Sequence, residues 1–287
     1  MVNFLRYRWL YLLISVLVIG AGLFSIVRWG FRYSIDFVGG TNLEYKLNKS
    51  IDVKNVKKVL EENKVELITL AEKDKTVLIR AKPMDEQKEL KVRKDLESKL
   101  EIKITMLRFE TQGPVIGKET IRKTVIASIL AILGILFYMS FAFKSLNFAV
   151  AAILALIHDF LVVIGTYSLF SHFFGAEVDL LFVTALLTTM SFSVHDTIVI
   201  FDKIREYGTA DKTEIERFAN RALTETLVRS LNNSMTIIFM LLALILLGGS
   251  TIRFFVAALL VGTITGTYSS PFVATPILVW LEKRKSR

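Results

Sequence analysis

Six apolar stretches, each long enough to cross a lipid bilayer, constrain this chain more than any other feature. The ~30 Å hydrocarbon core takes about 20 helical residues to span. Residues 9–27 form an uncharged run of 19 after Arg6 and Arg8, and residues 124–143 form another of 20. Further runs cover 146–170, 178–201, 227–248 and 254–281. In lipid every backbone polar group needs an internal partner, which leaves helices or closed barrels. Runs of this length without alternation predict helices. The chain is 53% hydrophobic with a mean hydropathy of +0.49, as expected of a membrane protein. The first run continues past Gly20-Ala21-Gly22, so it is read as a retained span rather than a cleaved signal peptide.

Between the first two runs the pattern changes to charged and alternating. Strands are expected at 41–47, 66–71, 76–81 and 102–109, and helices at 53–63 and 84–99. Val53, Val56, Val59 and Leu60 share one helical face, and Lys73-Asp74-Lys75 suits a tight turn. The order β-α-β-β-α-β is that of the split βαβ, ferredoxin-like motif. Gly39-Gly40 lacks the Lys-Ser/Thr of a phosphate-binding loop, so it is read as a backbone turn feeding the strand at Thr41. The expected division is therefore residues 1–29 as N-terminus and first span, 30–119 as an α+β domain, and 120–287 as spans two to six.

Six spans place both termini on one side, and the charge pattern chooses which. One face carries Arg6, Arg8, Lys144, Lys203, Arg205, Lys212, Arg217, Arg221, Lys283, Arg284, Lys285 and Arg287; the short loops opposite carry only Arg253. The termini are expected in the cytoplasm and the α+β domain outside it. The net charge of +9 is thus assigned to topology and lipid headgroups rather than to nucleic acid. Cysteine is absent, which excludes disulfides and thiolate metal sites. The three histidines have no metal-ligand spacing. No nucleophile–base arrangement and no cofactor loop is found, so the chain is read as a non-enzyme without metal or cofactor.

The chemistry lies in polar residues at membrane depth. A carboxylate at a helix centre costs at least ~2.5 kcal/mol on insertion scales. Asp196 sits 17 residues beyond Asp179, or ~25 Å along a helix. Arg229 and Asn232 precede Gly248 by 19 and 16 residues, or ~29 and ~24 Å, on an antiparallel span. An Asp196–Arg229 pair with Asn232 beside it is geometrically available, and would suit a proton relay. Arg229 could instead snorkel to the headgroups. His158 and Asp159 are a second polar insertion, either a relay element or a lock between helices.

The motifs Ile35-Asp36-Phe37-Val38-Gly39-Gly40-Thr41, Leu156-Ile157-His158-Asp159, Val194-His195-Asp196-Thr197-Ile198-Val199-Ile200-Phe201-Asp202, Arg229-Ser230-Leu231-Asn232-Asn233-Ser234 and Gly266-Thr267-Tyr268-Ser269-Ser270 resemble the SecD/SecF family. Together with one span, an external domain and five more spans, they resemble half of a resistance–nodulation–division (RND) transporter. The similarity covers essentially the whole chain and matches the SecF branch. It implies a SecD partner, the SecYEG channel and a translocating polypeptide pulled outward by the proton-motive force across the cytoplasmic (inner) membrane. It also implies proton transport at Asp196 and Arg229, with Asn232, His195, Asp159 and His158 as further candidates on the path. Ser191, Phe192 and His195 depart from the family's expected glycine, tyrosine and asparagine. Two other readings are half of a small-molecule RND exporter and a membrane scaffold with Asp196 and Arg229 as glue. A domain of ~80 residues leaves little room for a deep substrate pocket.

Overall fold

The computed structural model describes residues 3–73, 75–143, 145–208 and 214–285. Asp74, Lys144, Lys212 and Arg287, used above for turn and topology, lie outside the described residues. Six helices are long and apolar enough to cross a membrane: Phe4–Trp29, Val115–Phe141, Leu146–Phe174, Leu180–Tyr207, Ile215–Leu247 and Arg253–Arg284. A sheet-containing domain lies between the first and second in the chain. The protein is therefore a multi-pass α-helical membrane protein. It divides into two compact units, Tyr33–Val125 and Met1–Arg32 with Ile126–Arg287.

The first unit follows helix α1 (Arg8–Trp29) and strand β1 (Arg32–Tyr33). It contains α2 (Ile35–Val38), β2 (Gly40–Leu47), α3 (Val53–Glu62), β3 (Leu67–Lys73), β4 (Thr76–Ala81), α4 (Glu86–Leu100) and β5 (Ile104–Gln112). The sheet order is β3-β4-β2-β5, with every neighbouring pair antiparallel. That is the ferredoxin-like arrangement read from the sequence. Alternation explains the core: Leu43, Tyr45 and Leu47 of β2 and Val77, Ile79 and Ala81 of β4 are buried, together with Val56, Val59 and Leu60 of α3 and Val92 and Leu96 of α4. Helix α4 starts two residues later than expected because Asp85 caps it, accepting the Lys88 N–H at 2.8 Å. Asp52 caps α3 in the same way, accepting the Lys54 N–H at 2.9 Å.

Gly39 and Gly40 form a turn, as expected. Gly39 ends α2 at φ 74°, and Gly40 has φ 134° with the Ala81 carbonyl only 3.0 Å from where a Cβ would stand. Both conformations favour glycine. A Cβ on Gly117, in the first turns of α5 (Pro114–Phe143), would lie 2.7 Å from the Phe37 carbonyl oxygen.

The second unit holds α6 (Leu146–Phe174), β6 (Glu177–Val178), α7 (Leu180–Gly208), α8 (Ile215–Leu247), α9 (Arg253–Ser269), a π-turn (Ser270–Ala274) and α10 (Thr275–Lys285). Spans two and five begin earlier than the apolar runs did. Helix α5 starts at Pro114, a residue suited to a first helical turn, and carries Lys118, Glu119, Arg122 and Lys123 before its uncharged part. Helix α8 starts at Ile215, so most of the polar stretch between the fourth and fifth apolar runs is helical extension of α7 and α8.

Small residues set the close approaches. Gly22 of α1 faces Gly165 of α6, and a Cβ on either would lie 2.7 Å from the other's Cα. Ser25 and Ser168 bond across the same crossing at 2.8 Å. Gly262 and Gly266 of α9 face Thr189 and Ser193 of α7, so these two glycines, four residues apart, form a packing face. Helices α6, α7 and α9 form the covered centre, whereas α5 and most of α8 are uncovered in the single chain.

Candidate functional site

Two buried carboxylates lie on either side of this centre. Asp159 of α6 is 3% exposed and Asp196 of α7 is 4% exposed. Asp159 is the better satisfied. Ser269 donates to its Oδ2 at 2.7 Å, and Ser193 donates to the same oxygen. His158 Nδ1 lies 2.9 Å from Oδ1, and His158 Nε2 lies 2.9 Å from Ser15 Oγ on α1. The expected His158–Asp159 insertion is therefore a four-helix knot joining α1, α6, α7 and α9.

Asp196 has a different partner. Ser230 of α8 donates to its Oδ2 at 2.7 Å. A ladder continues from there: Ser234 donates to the Ser230 carbonyl at 2.9 Å, and Thr267 donates to Ser234 Oγ at 2.7 Å. Next to Asp196, Thr197 Oγ1 lies 2.8 Å from Ser270 Oγ. Ser193 and Thr197 are four residues apart and share the face toward α9. Asp196, ~100° round the helix from Thr197, faces α8 instead.

The other expected site residues lie elsewhere. His195, Arg229 and Asn232 are exposed on the single chain. Among the described residues no ion pair joins Arg229 to Asp196. The depth match does hold, since Arg229 adjoins the residue that bonds Asp196. Azimuth separates them: with Ser230 turned to α7, Arg229 is carried ~100° away and Asn232 ~200° away. Sequence reasoning missed the hydroxyls Ser15, Ser193, Thr197, Ser230, Ser269 and Ser270. Their signal was present as fourfold spacing: Thr189, Ser193 and Thr197 on α7, and Thr226, Ser230 and Ser234 on α8.

The arrangement keeps two carboxylates away from water, each held by hydroxyls that can donate or accept. Among the described residues no group of His, Asp and Glu could hold a metal ion.

Comparison with known proteins identifies the family. The family described as protein export membrane protein SecD/SecF, C-terminal, matches residues 91–284, and the SecD/SecF GG motif matches residues 24–51. The chain is 39% identical to the protein translocase subunit SecF of Thermobaculum terrenum, covering 99% of this chain and 95% of that one. It is also 39% identical to the SecF subunit of Anaerolinea thermophila, covering 100% and 96%. Against the protein translocase subunit SecDF of Thermus thermophilus it is 36% identical over 90% of this chain but only 36% of the longer relative. The crystal structure of SecDF from Thermus thermophilus, a translocon-associated membrane protein, superimposes with a TM-score of 0.84 at 33% identity, covering all of this chain and 39% of that one. Both termini of the similarity lie near the ends of the chain, and the chain belongs to the SecD/SecF family of protein export membrane proteins.

Proposed function

We propose that the protein is an accessory subunit of the Sec export machinery that pairs with SecD and uses the proton-motive force to promote late steps of polypeptide translocation. In this reading residues 30–119 are extracytoplasmic, both termini are cytoplasmic, and the membrane is the cytoplasmic (inner) one. The SecYEG channel and the translocating polypeptide are its further partners. Asp196 binds and releases a proton in each cycle, with His158 and Asp159 as a second acid-base element.

Arg229, Asn232 and His195 act from the uncovered faces, where a SecD half would be seated. The Thermus thermophilus relative, in which the matching region is a fraction of one longer SecDF chain, supports such a pairing. The observation that carries the reading is Asp196 itself: a carboxylate at membrane depth, 4% exposed, whose bonded partner is the neutral Ser230 rather than a cation. A carboxylate bonded only by a hydroxyl can gain a proton without leaving a buried cation unpaired. The relatives named above are protein translocase subunits rather than small-molecule exporters, and the scaffold reading gives no reason to bury an acid whose bonded partner is a neutral hydroxyl.

The test is gradient-dependent export in inverted vesicles. Asp196→Asn keeps the shape and can still meet Ser230, so the protein should insert and recover SecD while proton-driven export is abolished. Full gradient-dependent export by Asp196→Asn would sink the mechanism. Loss of insertion or of SecD recovery in the same variant would favour the scaffold.

A further inference from the structure

The last span leaves its α-helical course at the π-turn Ser270–Ala274, where the Thr275 N–H bonds back to the Ser270 carbonyl. Pro271 and Pro276 each remove one N–H from the α-type ladder there, which is the sequence reason for the wider turn. Two consecutive hydroxyls stand at the break, both 0% exposed. Neighbouring residues project ~100° apart, so they reach different helices. Ser269 donates to Asp159 Oδ2 on α6 at 2.7 Å, while Ser270 Oγ lies 2.8 Å from Thr197 Oγ1 on α7, beside Asp196.

The two serines also share an acceptor. The Gly266 carbonyl lies 3.3 Å from Ser269 Oγ and 3.1 Å from Ser270 Oγ. It already accepts the Ser270 N–H. A carbonyl oxygen has two lone pairs, so one remains for two hydroxyls. With Asp159 charged, Ser269 is committed to the carboxylate and Ser270 can take the remaining lone pair. A proton on Asp159 Oδ2 turns that oxygen into a donor. A serine that accepts from it must send its own hydrogen elsewhere, and for Ser269 the acceptor at hand is Gly266. Ser270 is then displaced to the Ser193 carbonyl, 3.3 Å away, or to Thr197 Oγ1.

We propose that Ser269 and Ser270 are positioning residues that form a hydroxyl switch, coupling the protonation of Asp159 to the setting of Thr197 beside Asp196. The proposal rests on the proton-binding reading of Asp196 and adds a route between the two acids. Within four residues along the chain of the bonded side chains, the other titratable or charged groups are His158 on α6, Tyr11 on α1, His195 on α7, Arg229 on α8 and Tyr268 on α9. None of them stands between Ser269 and Thr197 in the bonded chain.

The experiment uses the full chain assembled with SecD in lipid. Infrared difference spectra follow the protonated-carboxyl band of Asp196 against pH, the band being assigned by its loss in Asp196→Asn. Asp159→Asn should displace the Asp196 midpoint by roughly half a pH unit or more, the size expected of coupled neighbouring sites. In a Ser270→Ala background that displacement should vanish. Thr197→Val, which keeps shape and removes the other hydroxyl, should abolish it as well and provides the test if Ser270→Ala does not assemble. Purely structural serines would leave the displacement in place. An unmoved Asp196 midpoint in Asp159→Asn, or a displacement that survives both hydroxyl deletions, overturns the switch alone. An Asp196 that shows no titration at all overturns the switch and the proton-binding reading together.

Discussion

The difference between Ser230 and Arg229 as partners of Asp196 shows how a residue's depth and its direction are separate facts. Counting ~1.5 Å per residue places Arg229 at the right level, and no count along one helix reveals which residue of the turn faces its neighbour. The same lesson holds outside the membrane at Tyr45. Its alternation with Leu43 and Leu47 marks it as core, but only the fold brings α4 across to give its hydroxyl the Glu89 carboxylate at 2.8 Å. Burial, then the bond to Glu89 and that group's charge, push the tyrosine above its ordinary value of 10.0. A folded-state value above the unfolded one means stability that is present below pH ~10 and lost as pH rises beyond it. The isolated 30–118 fragment should therefore melt at a steady temperature up to about pH 9.5. Above that, Tyr45 should add a loss of up to ~1.4 kcal/mol per pH unit. Tyr45→Phe should remove that component and cost ~1–3 kcal/mol at neutral pH by leaving buried Glu89 without its hydroxyl donor. Circular dichroism melts of the two fragments across pH 7 to 11 check this; identical slopes above pH 10 would refute it.

Among the elements, those whose cause is local were legible and those whose cause is tertiary were not. Strand order followed from β-α-β-β-α-β because alternation, turn residues and right-handed crossovers leave few ways to close such a sheet. The starts of α5 and α8 were not visible, because charged turns at a helix end resemble a loop when only apolar run length is read. The π-turn was written as Pro271 and Pro276, yet two prolines in an apolar run are equally compatible with a kink. Glycine spacing carried more. Gly262 and Gly266 announced a close crossing, and the chain puts the α7 side chains Thr189 and Ser193 there. Gly262→Val should thus overpack the α7–α9 crossing, costing ~1–3 kcal/mol or more and lowering the recovered folded protein severalfold. Gly20→Val is the control, since nothing stands within 4 Å of a Cβ at that position. Comparable yields of the two variants in detergent-resistant, monodisperse form would show that the crossing is not set by the glycine.

At the scale of the whole molecule the sequence states a topology and the fold states an incompleteness. Helices α5 and α8 expose apolar faces, and α8 also turns Arg229, Asn232 and Asn233 outward. A polar row at membrane depth is costly against lipid and has to meet protein or water. The uncovered faces thus have the composition of a subunit seam, whereas the basic residues crowd one end of the spans. Orientation decides which way any proton must travel, so it is the property on which the proposed coupling depends. In the orientation proposed from the positive-inside pattern, the termini are cytoplasmic and the Tyr33–Val125 unit is outside. The absence of cysteine makes the test direct, because each introduced thiol is the only one present. Lys49 is exposed on the loop after β2, and Ser286 lies in the C-terminal tail, one residue from the end of the chain. In intact cells treated with a membrane-impermeant maleimide, Lys49→Cys should be modified within minutes, and Ser286→Cys only after the membrane is broken. In inverted vesicles the order should reverse. Labelling of both thiols from the same side would mean an even number of crossings between them, where six spans require five. It would refute the six-span topology, and with it the outward direction assigned to polypeptide movement.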